Sequence, residues 1–400
     1  MSPARRSRAV PTPLPAPVPQ TLDVDAILDD PTVRIVVCCG SGGVGKTTAA
    51  AALGVRAAER GRRTVVLTID PARRLAQSLG LTSLENEPRA VRGVDTSAGG
   101  RLDAMMLDMK RTFDEVVTAH ADEVKAQQIF ANPFYQSLSS SFAGTQEYMA
   151  MEKLGQLRAR ADAEGTWDLI VVDTPPSRSA LDFLDAPKRL GSFLDGRLIR
   201  ILMAPAKAGG RAYLRFVGAG IERVTNALTK VLGAQVLKDV QTFVAALDTM
   251  FGGFRERADQ TYALLQAPGT SFLVVASPEP DALREASYFV ERLAAEHMPL
   301  AGLLVNRLHH VGRLAGLSAE ESIAAAERLD RLGGHPLTSA LLRQHAERER
   351  QAIRERHVVD RFVAAHPDVA LAYAPAQASD VHDLAGLRAV AAAVAANAAR

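Results

Sequence analysis

Eight consecutive residues, Gly40-Ser41-Gly42-Gly43-Val44-Gly45-Lys46-Thr47, satisfy the pattern G-x-x-x-x-G-K-[ST] at every fixed position. Glycines at these places let backbone N–H groups close around phosphate oxygens, and a helix that starts here adds its positive dipole end. Lys46 has the reach and charge for the terminal phosphates. The hydroxyl of Thr47 is a ligand for Mg²⁺, and Thr48 carries the chain into the helix. Two carboxylates complete a set for phosphoryl transfer to water, which needs positioned charge, a metal and an oriented nucleophile. Asp173 closes the apolar run Leu169-Ile170-Val171-Val172 and is placed to hold Mg²⁺ through a water. Asp70 closes the run 64–69, precedes Pro71-Ala72, and is placed to orient the attacking water. Each carboxylate also has a plainer reading, as an acid at a strand end or as the start of an Asp-Pro turn.

These groups converge only if the chain brings several strand ends together. Residues 34–39 read as a buried strand and 48–60 as an alanine-rich helix, which is the strand–loop–helix setting the glycine pattern requires. Further strand-like runs follow at 64–69, 102–107, 167–172, 271–276, 300–305 and 369–373, with helical stretches between them. Near-continuous apolar strands alternating with helices predict an α/β fold: a P-loop NTPase with a central, mostly parallel sheet flanked by helices. Ligands of such sheets lie at the carboxyl ends of the strands, where the glycine loop, Asp70, Asp173 and Asn306 all fall.

Residues 109–151 and 187–265 break the alternation and read as helix, interrupted near Asn132-Pro133, Ala143-Gly144, Pro205 and Gly209-Gly210. Val217, Ile221, Val224, Leu228 and Val231 form one helical apolar stripe, and Val236, Val240, Phe243, Val244, Leu247 and Phe251 form another. Such stripes are either interior packing or a surface that receives a hydrophobic helix or a partner protein. The expected organisation is a disordered leader at 1–30, rich in Pro and Arg, then a P-loop domain at 31–400. A helical subdomain is inserted in that domain at 109–142 and 187–267.

With 47 Lys+Arg against 45 Asp+Glu the net charge is +2, which gives no case for nucleic acid as a partner. The leader lacks the apolar core of a secretory signal, and no apolar run of about 18 residues exists to span a membrane. The two cysteines, Cys38 and Cys39, are adjacent in the first strand, where they read as small buried hydrophobes, so a zinc or soft-metal site is not expected. A cytoplasmic location fits this pattern. The charge run 343–356 reads as a solvated helix with i,i+4 pairs, and His309-His310 as an exposed turn.

Taken in order, these motifs resemble the ArsA-type ATPase family, which includes the arsenical-pump ATPase and the guided-entry ATPases that deliver tail-anchored membrane proteins. The run 41–48 resembles the family's deviant Walker A loop, Asp70-Pro71-Ala72 its switch I, and Asp173-Thr174-Pro175-Pro176-Ser177 its switch II. Val305-Asn306-Arg307 resembles the strand end whose asparagine contacts adenine; Pro375 and Asp380-Val381 are similar to the loop that covers the base. Gln146-Glu147 resembles the acidic helix start near the nucleotide, although it also suits plain helix-dipole complementation. The resemblance spans about 33–395. It implies ATP as substrate with Mg²⁺, Asp70 as the catalytic aspartate, and Asp173 as the sensor of γ-phosphate and metal. Asn306 would be the adenine contact, with an alternative as a turn residue tying backbone after a strand. It further implies a dimer that ATP closes, reshaping a helical surface for a hydrophobic client or membrane-protein partner.

Three departures qualify those implications. Ser41 stands where the family usually has a signature lysine that crosses the dimer to the partner's nucleotide. Arg73, Arg74 or Arg178 would then substitute, or hydrolysis is slow, or a paralogous ATPase carrying the lysine completes a heterodimer in place of a homodimer. The zinc-bridging C-x-x-C of guided-entry dimers is missing, and so are the arsenite-binding cysteines of the pump. The alternatives to a partner-coupled ATPase are therefore a nucleotide-binding regulatory subunit with little turnover, and an arsenite-efflux motor, which the cysteine pattern disfavours. A membrane-positioning ATPase of the MinD type fits poorly, since 384–400 has little aromatic or basic character.

Overall fold

The computed structural model describes residues 20–70, 74–133, 135–136, 145–175, 256–309 and 316–396. Both expected apolar stripes between Val217 and Phe251, switch residues Pro71-Ala72 and Pro176-Ser177, and Arg73 and Arg178 lie outside these residues.

Among the described residues eight strands form one sheet: β1 Ile35–Cys39, β2 Arg63–Thr68, β3 Arg89–Ala90, β4 Arg101–Met106, β5 Leu169–Asp173, β6 Thr270–Ala276, β7 Leu300–Leu308 and β8 Leu371–Pro375. Their order is β3-β4-β2-β5-β1-β6-β7-β8, parallel except where β3 meets β4. All residues of β1 and β5 are buried, as strands covered on both faces must be. The expected runs all became strands. The missed one is β3, an exposed two-residue edge with no apolar pattern to read.

Ten helices are labelled here: α1 Val24–Asp29, α2 Lys46–Glu59, α3 Arg74–Ser78, α4 Met109–His120, α5 Glu123–Phe130, α6 Thr145–Glu164, α7 Pro280–Ala295, α8 Ala319–Leu332, α9 Pro336–Ala365 and α10 Leu384–Ala395. On one face of the sheet, α2 packs its alanines against β1, β2 and β4. A Cβ on Gly54 of α2 would lie 2.5 Å from Val66 Cγ2 of β2, so a bare backbone is what allows this approach. The helices of 109–130 are present, with Phe113, Val116, Val117, Ala126 and Ile129 in the same core as Met105, Ile170 and Val172 on the other face. Residues 256–266 are helical as well.

The leader boundary needs correction. Residues 20–30 are folded: Leu22, Val24 and Leu28 are buried, Thr21 bridges Leu371, and Asp23 caps α1 through Ala26 N at 3.0 Å. Asp25 pairs with Arg56 of α2 at 2.5 Å, and Asp29 with Arg60. The Pro- and Arg-rich composition masks this change, because the three apolar residues that anchor α1 sit among four aspartates.

Candidate functional site

Strand order explains why the chemical groups meet. β5 lies between β1 and β2, so Asp173 stands in register with both Cys38 and Thr68. The glycine loop leaves β1 beside it, and Asp70 leaves β2 on the other flank.

The loop needs its glycines. Gly40, Gly43 and Gly45 have φ of 147°, 78° and 97°, values that side chains disfavour. A Cβ on Gly40 would lie 2.1 Å from the Val275 carbonyl oxygen. Helix α2 starts at Lys46 with no side-chain cap and no acid in its first turn, which leaves its N–H groups open to an anion. Lys46 is buried, and its Nζ donates to Ser41 O at 2.8 Å. Burial lowers its pKa, opposed by the carboxylates of Asp173 and Asp70. Ser41 is buried, Thr47 and Thr48 half-buried, and Gly42 and Gly43 exposed at the rim.

Asp173 is wholly buried. Its Oδ2 accepts from Thr47 Oγ1 at 2.7 Å and from Thr68 Oγ1 at 2.8 Å, while its Oδ1 is buried with no hydrogen-bond partner. Desolvation pushes its pKa up to about 6, against the two hydroxyls and Lys46. A buried carboxylate oxygen left unpaired beside a threonine hydroxyl is a donor set suited to a hard, oxygen-seeking cation. Mg²⁺ commonly takes one or two carboxylates with substrate phosphates. Among the described residues no group of three or more His, Cys, Asp or Glu gathers to form an all-protein cage.

Asp70 is half-buried beside this pair, close enough for its charge to act on both Lys46 and Asp173. The backbone around it is tied down: Ile69 N donates to Asp173 O at 3.0 Å, and Gln146 Nε2 to Ile69 O at 3.0 Å. Gln146 thus anchors the strand end, and Glu147 keeps a buried Oε2 without a partner. Thr174 Oγ1 donates to Cys38 O at 2.9 Å.

Asn306 and Arg307 end β7 against the loop: Asn306 Nδ2 donates to Val44 O at 2.8 Å, and Arg307 Nη1 to Gly43 O at 3.1 Å. Asn306 therefore has the backbone-tying contact that its plainer reading supposed. Pro375 ends β8 in register with Leu308, half-buried, one strand further from the loop. Cys38 and Cys39 face opposite cores, and burial raises both thiols, Cys39 to about 12.

Two surface expectations change. His309 is not a free turn residue: its backbone N and its Nδ1 each lie 2.8 Å from the Glu355 carboxylate on α9. Within 343–356, Arg343 pairs with Asp330 across the α8–α9 hairpin, and Glu355 with His309. Thr68 and Arg307 join the site as residues that the motifs alone do not single out. Thr68 carried one signal, a hydroxyl at the end of an apolar strand; Arg307 stood in the Val305-Asn306-Arg307 run with no role of its own.

The family model described as anion-transporting ATPase matches residues 33–311. "ATPase GET3" of Ajellomyces dermatitidis is 25% identical over 291 residues, 72% of this chain and 76% of that one. "Putative arsenical pump-driving ATPase 1" of Aquifex aeolicus is 25% identical over 267 residues, 64% of this chain and 58% of that one. "ATPase ARSA1" of Chlamydomonas reinhardtii is 26% identical over 324 residues, 74% of this chain and 38% of that one.

Proposed function

The chain belongs to the anion-transporting ATPase family, and from that membership we propose that its ATP lies in the Gly40–Thr47 cradle, with Lys46 on the terminal phosphates and Thr47 and Asp173 holding Mg²⁺. The observation that carries this reading is the 2.7 Å bond between Thr47 and Asp173 beside an unpartnered buried Oδ1. When bound, Mg²⁺ supplies charge neutralisation at the β- and γ-phosphate oxygens. The chain's own residues do the rest. Loop amides and the α2 terminus hold phosphate oxygens, Lys46 offsets their charge, and Asp70 orients the water. Asn306, from its place beside Val44, and Pro375 border the adenine.

Coupling follows from position. Asp70 and Asp173 stand at strand ends beside the cradle, so their contacts with ATP would differ from those with ADP. That difference would move helical surface in a dimer toward or away from a hydrophobic client. Ser41 in place of a lysine favours an unequal pair, in which a paralogous subunit supplies the cation in trans, worth about 10³–10⁵ in rate. The same serine supports the second reading, a regulatory subunit with little turnover of its own.

Steady-state turnover across a Mg²⁺ titration tests the assignment. Asp70→Asn should lower kcat by about 10²–10⁴ with ATP affinity retained, as expected for lost orientation of the attacking group. Lys46→Ala should remove ATP binding. Undiminished turnover in Asp70→Asn would end the catalytic role, and ordinary turnover by the chain alone, with no gain from Ser41→Lys, would end the unequal pair.

A further inference from the structure

We propose that Arg307 is a positioning residue for the phosphate cradle, acting with Asn306 to turn two loop amides toward the triphosphate. Successive residues of a regular strand send their side chains to opposite faces. Asn306 and Arg307 are successive, yet both donate to the same loop, to Val44 O and Gly43 O. The departure has a visible cause. The β7–β8 register shifts between Val305 and Leu308, and Arg307 has φ of 60°. A bulge of this kind re-aims side chains, and a non-glycine residue in the left-handed region persists only where its surroundings enforce it.

The two carbonyls that are gripped are consecutive. In a planar trans peptide, C=O and the next N–H point in opposite directions, and no described peptide is cis. Holding Gly43 O therefore sets Val44 N–H, and holding Val44 O sets Gly45 N–H. With both carbonyls pulled toward β7, both N–H groups face away from it, into the loop. Gly45 makes the grip possible, since a Cβ there would lie 2.1 Å from Asn306 Nδ2. Beyond the bulge, Glu355 of α9 fixes the strand end through His309 N and Nδ1. The bond from Arg307 to Gly43 is charge-assisted and lies at the exposed rim of the loop.

The inference rests on the reading that the triphosphate occupies the Gly40–Thr47 loop, and its test separates the two. Full-length wild type, Arg307→Ala, Arg307→Gly, Arg307→Lys and Lys46→Ala would be compared for MgADP affinity, for tripolyphosphate as a competitor of ATP, and for melting temperature. Arg307→Ala and Arg307→Gly should weaken ADP and tripolyphosphate alike, each about tenfold. Arg307→Lys, which keeps a charged donor, should recover most of the loss. Arg307→Gly should melt no lower than wild type, because glycine accepts the left-handed backbone. Weakened ADP with unchanged tripolyphosphate would overturn the proposal, since Arg307 would then touch base or ribose. A lower melting temperature with unchanged affinities would overturn it too, leaving a structural role. If Lys46→Ala leaves both ligands undiminished, the cradle reading falls and takes this inference with it. An effect in Lys46→Ala with none in Arg307→Ala removes the inference alone.

Discussion

At the amino ends of the strands, the buried guanidinium of Arg62 donates to the carbonyls of Leu28, Asp30, Val33 and Asp168 at 2.7 to 2.9 Å. At the carboxyl ends, Asn306 and Arg307 donate to Val44 and Gly43 at 2.8 and 3.1 Å. Both grips fasten loop backbone to the sheet with side-chain donors. The lower one is closed: four acceptors take one buried cation, and α1, β1 and β5 are locked to the start of β2. The upper one is left open. It borders three left-handed glycines, a half-exposed threonine and a buried carboxylate oxygen with nothing bonded to it. Arg62 satisfies four carbonyls at one end of the sheet, while Asp173 Oδ1 at the other end is left for a ligand to partner.

The comparison breaks most visibly at its closed end. Arg62→Met keeps the side chain's bulk but strips four carbonyls of their donor, two of these bonds being buried. The expected cost is about 3 kcal/mol of unfolding free energy, read from urea titration, with nucleotide affinity of the folded fraction unchanged. A loss below about 1 kcal/mol would mean that water replaces the guanidinium and that the lower grip is not a lock.

Gly45→Ala tests the open end. The new methyl meets Asn306 Nδ2 and is forced to φ of 97°, so the loop must shift where its amides face phosphate. We expect an ADP affinity loss of about thirtyfold, equivalent to about 2 kcal/mol of strain and misdirected N–H groups, with a smaller change in urea midpoint. An alanine variant that binds ADP as well as wild type would show that the approach of Asn306 is dispensable.

What could be read in the sequence divides along the same line. Apolar continuity marked seven strands, because a strand buried on both faces has few positions where a polar side chain could reach water. Local chemistry marked the glycine loop, Lys46, Thr47 and Asp173, since each sits at a fixed offset from a strand or helix. Long-range geometry marked little. Arg62 looks like any surface arginine at a turn, and its four acceptors come from 29 to 106 residues away. Thr68 gains its role only from the register of β2 with β5, and Arg307 only from a bulge in β7. His309 finds Glu355 across 46 residues of chain. Arg62 and Arg307 clasp distant backbone and leave no spacing in the sequence, whereas Asn306, whose plainer reading was a tie to backbone after a strand, was legible as half of the upper grip.

The smallest expected effect sharpens the contrast best. Asp173 carries a cost in the ligand-free protein: desolvation pushes its carboxyl up to about 6, and Oδ1 finds no donor. Asp173→Asn removes the buried charge and keeps one oxygen to accept from Thr47 and Thr68. The variant should therefore gain about 1 kcal/mol in urea unfolding without nucleotide, a modest return because its amide N–H₂ remains in the same unpaired place. It should lose Mg²⁺-dependent turnover at the same time, since a neutral amide is a poor ligand for a hard cation. Stability and activity moving in opposite directions at one side chain is what a site held open for a ligand requires. Arg62→Met, at the other end, lowers stability alone. If Asp173→Asn were instead to destabilise the ligand-free protein, its carboxylate would be part of the closed framework, and the distinction between the two ends of the sheet would fail.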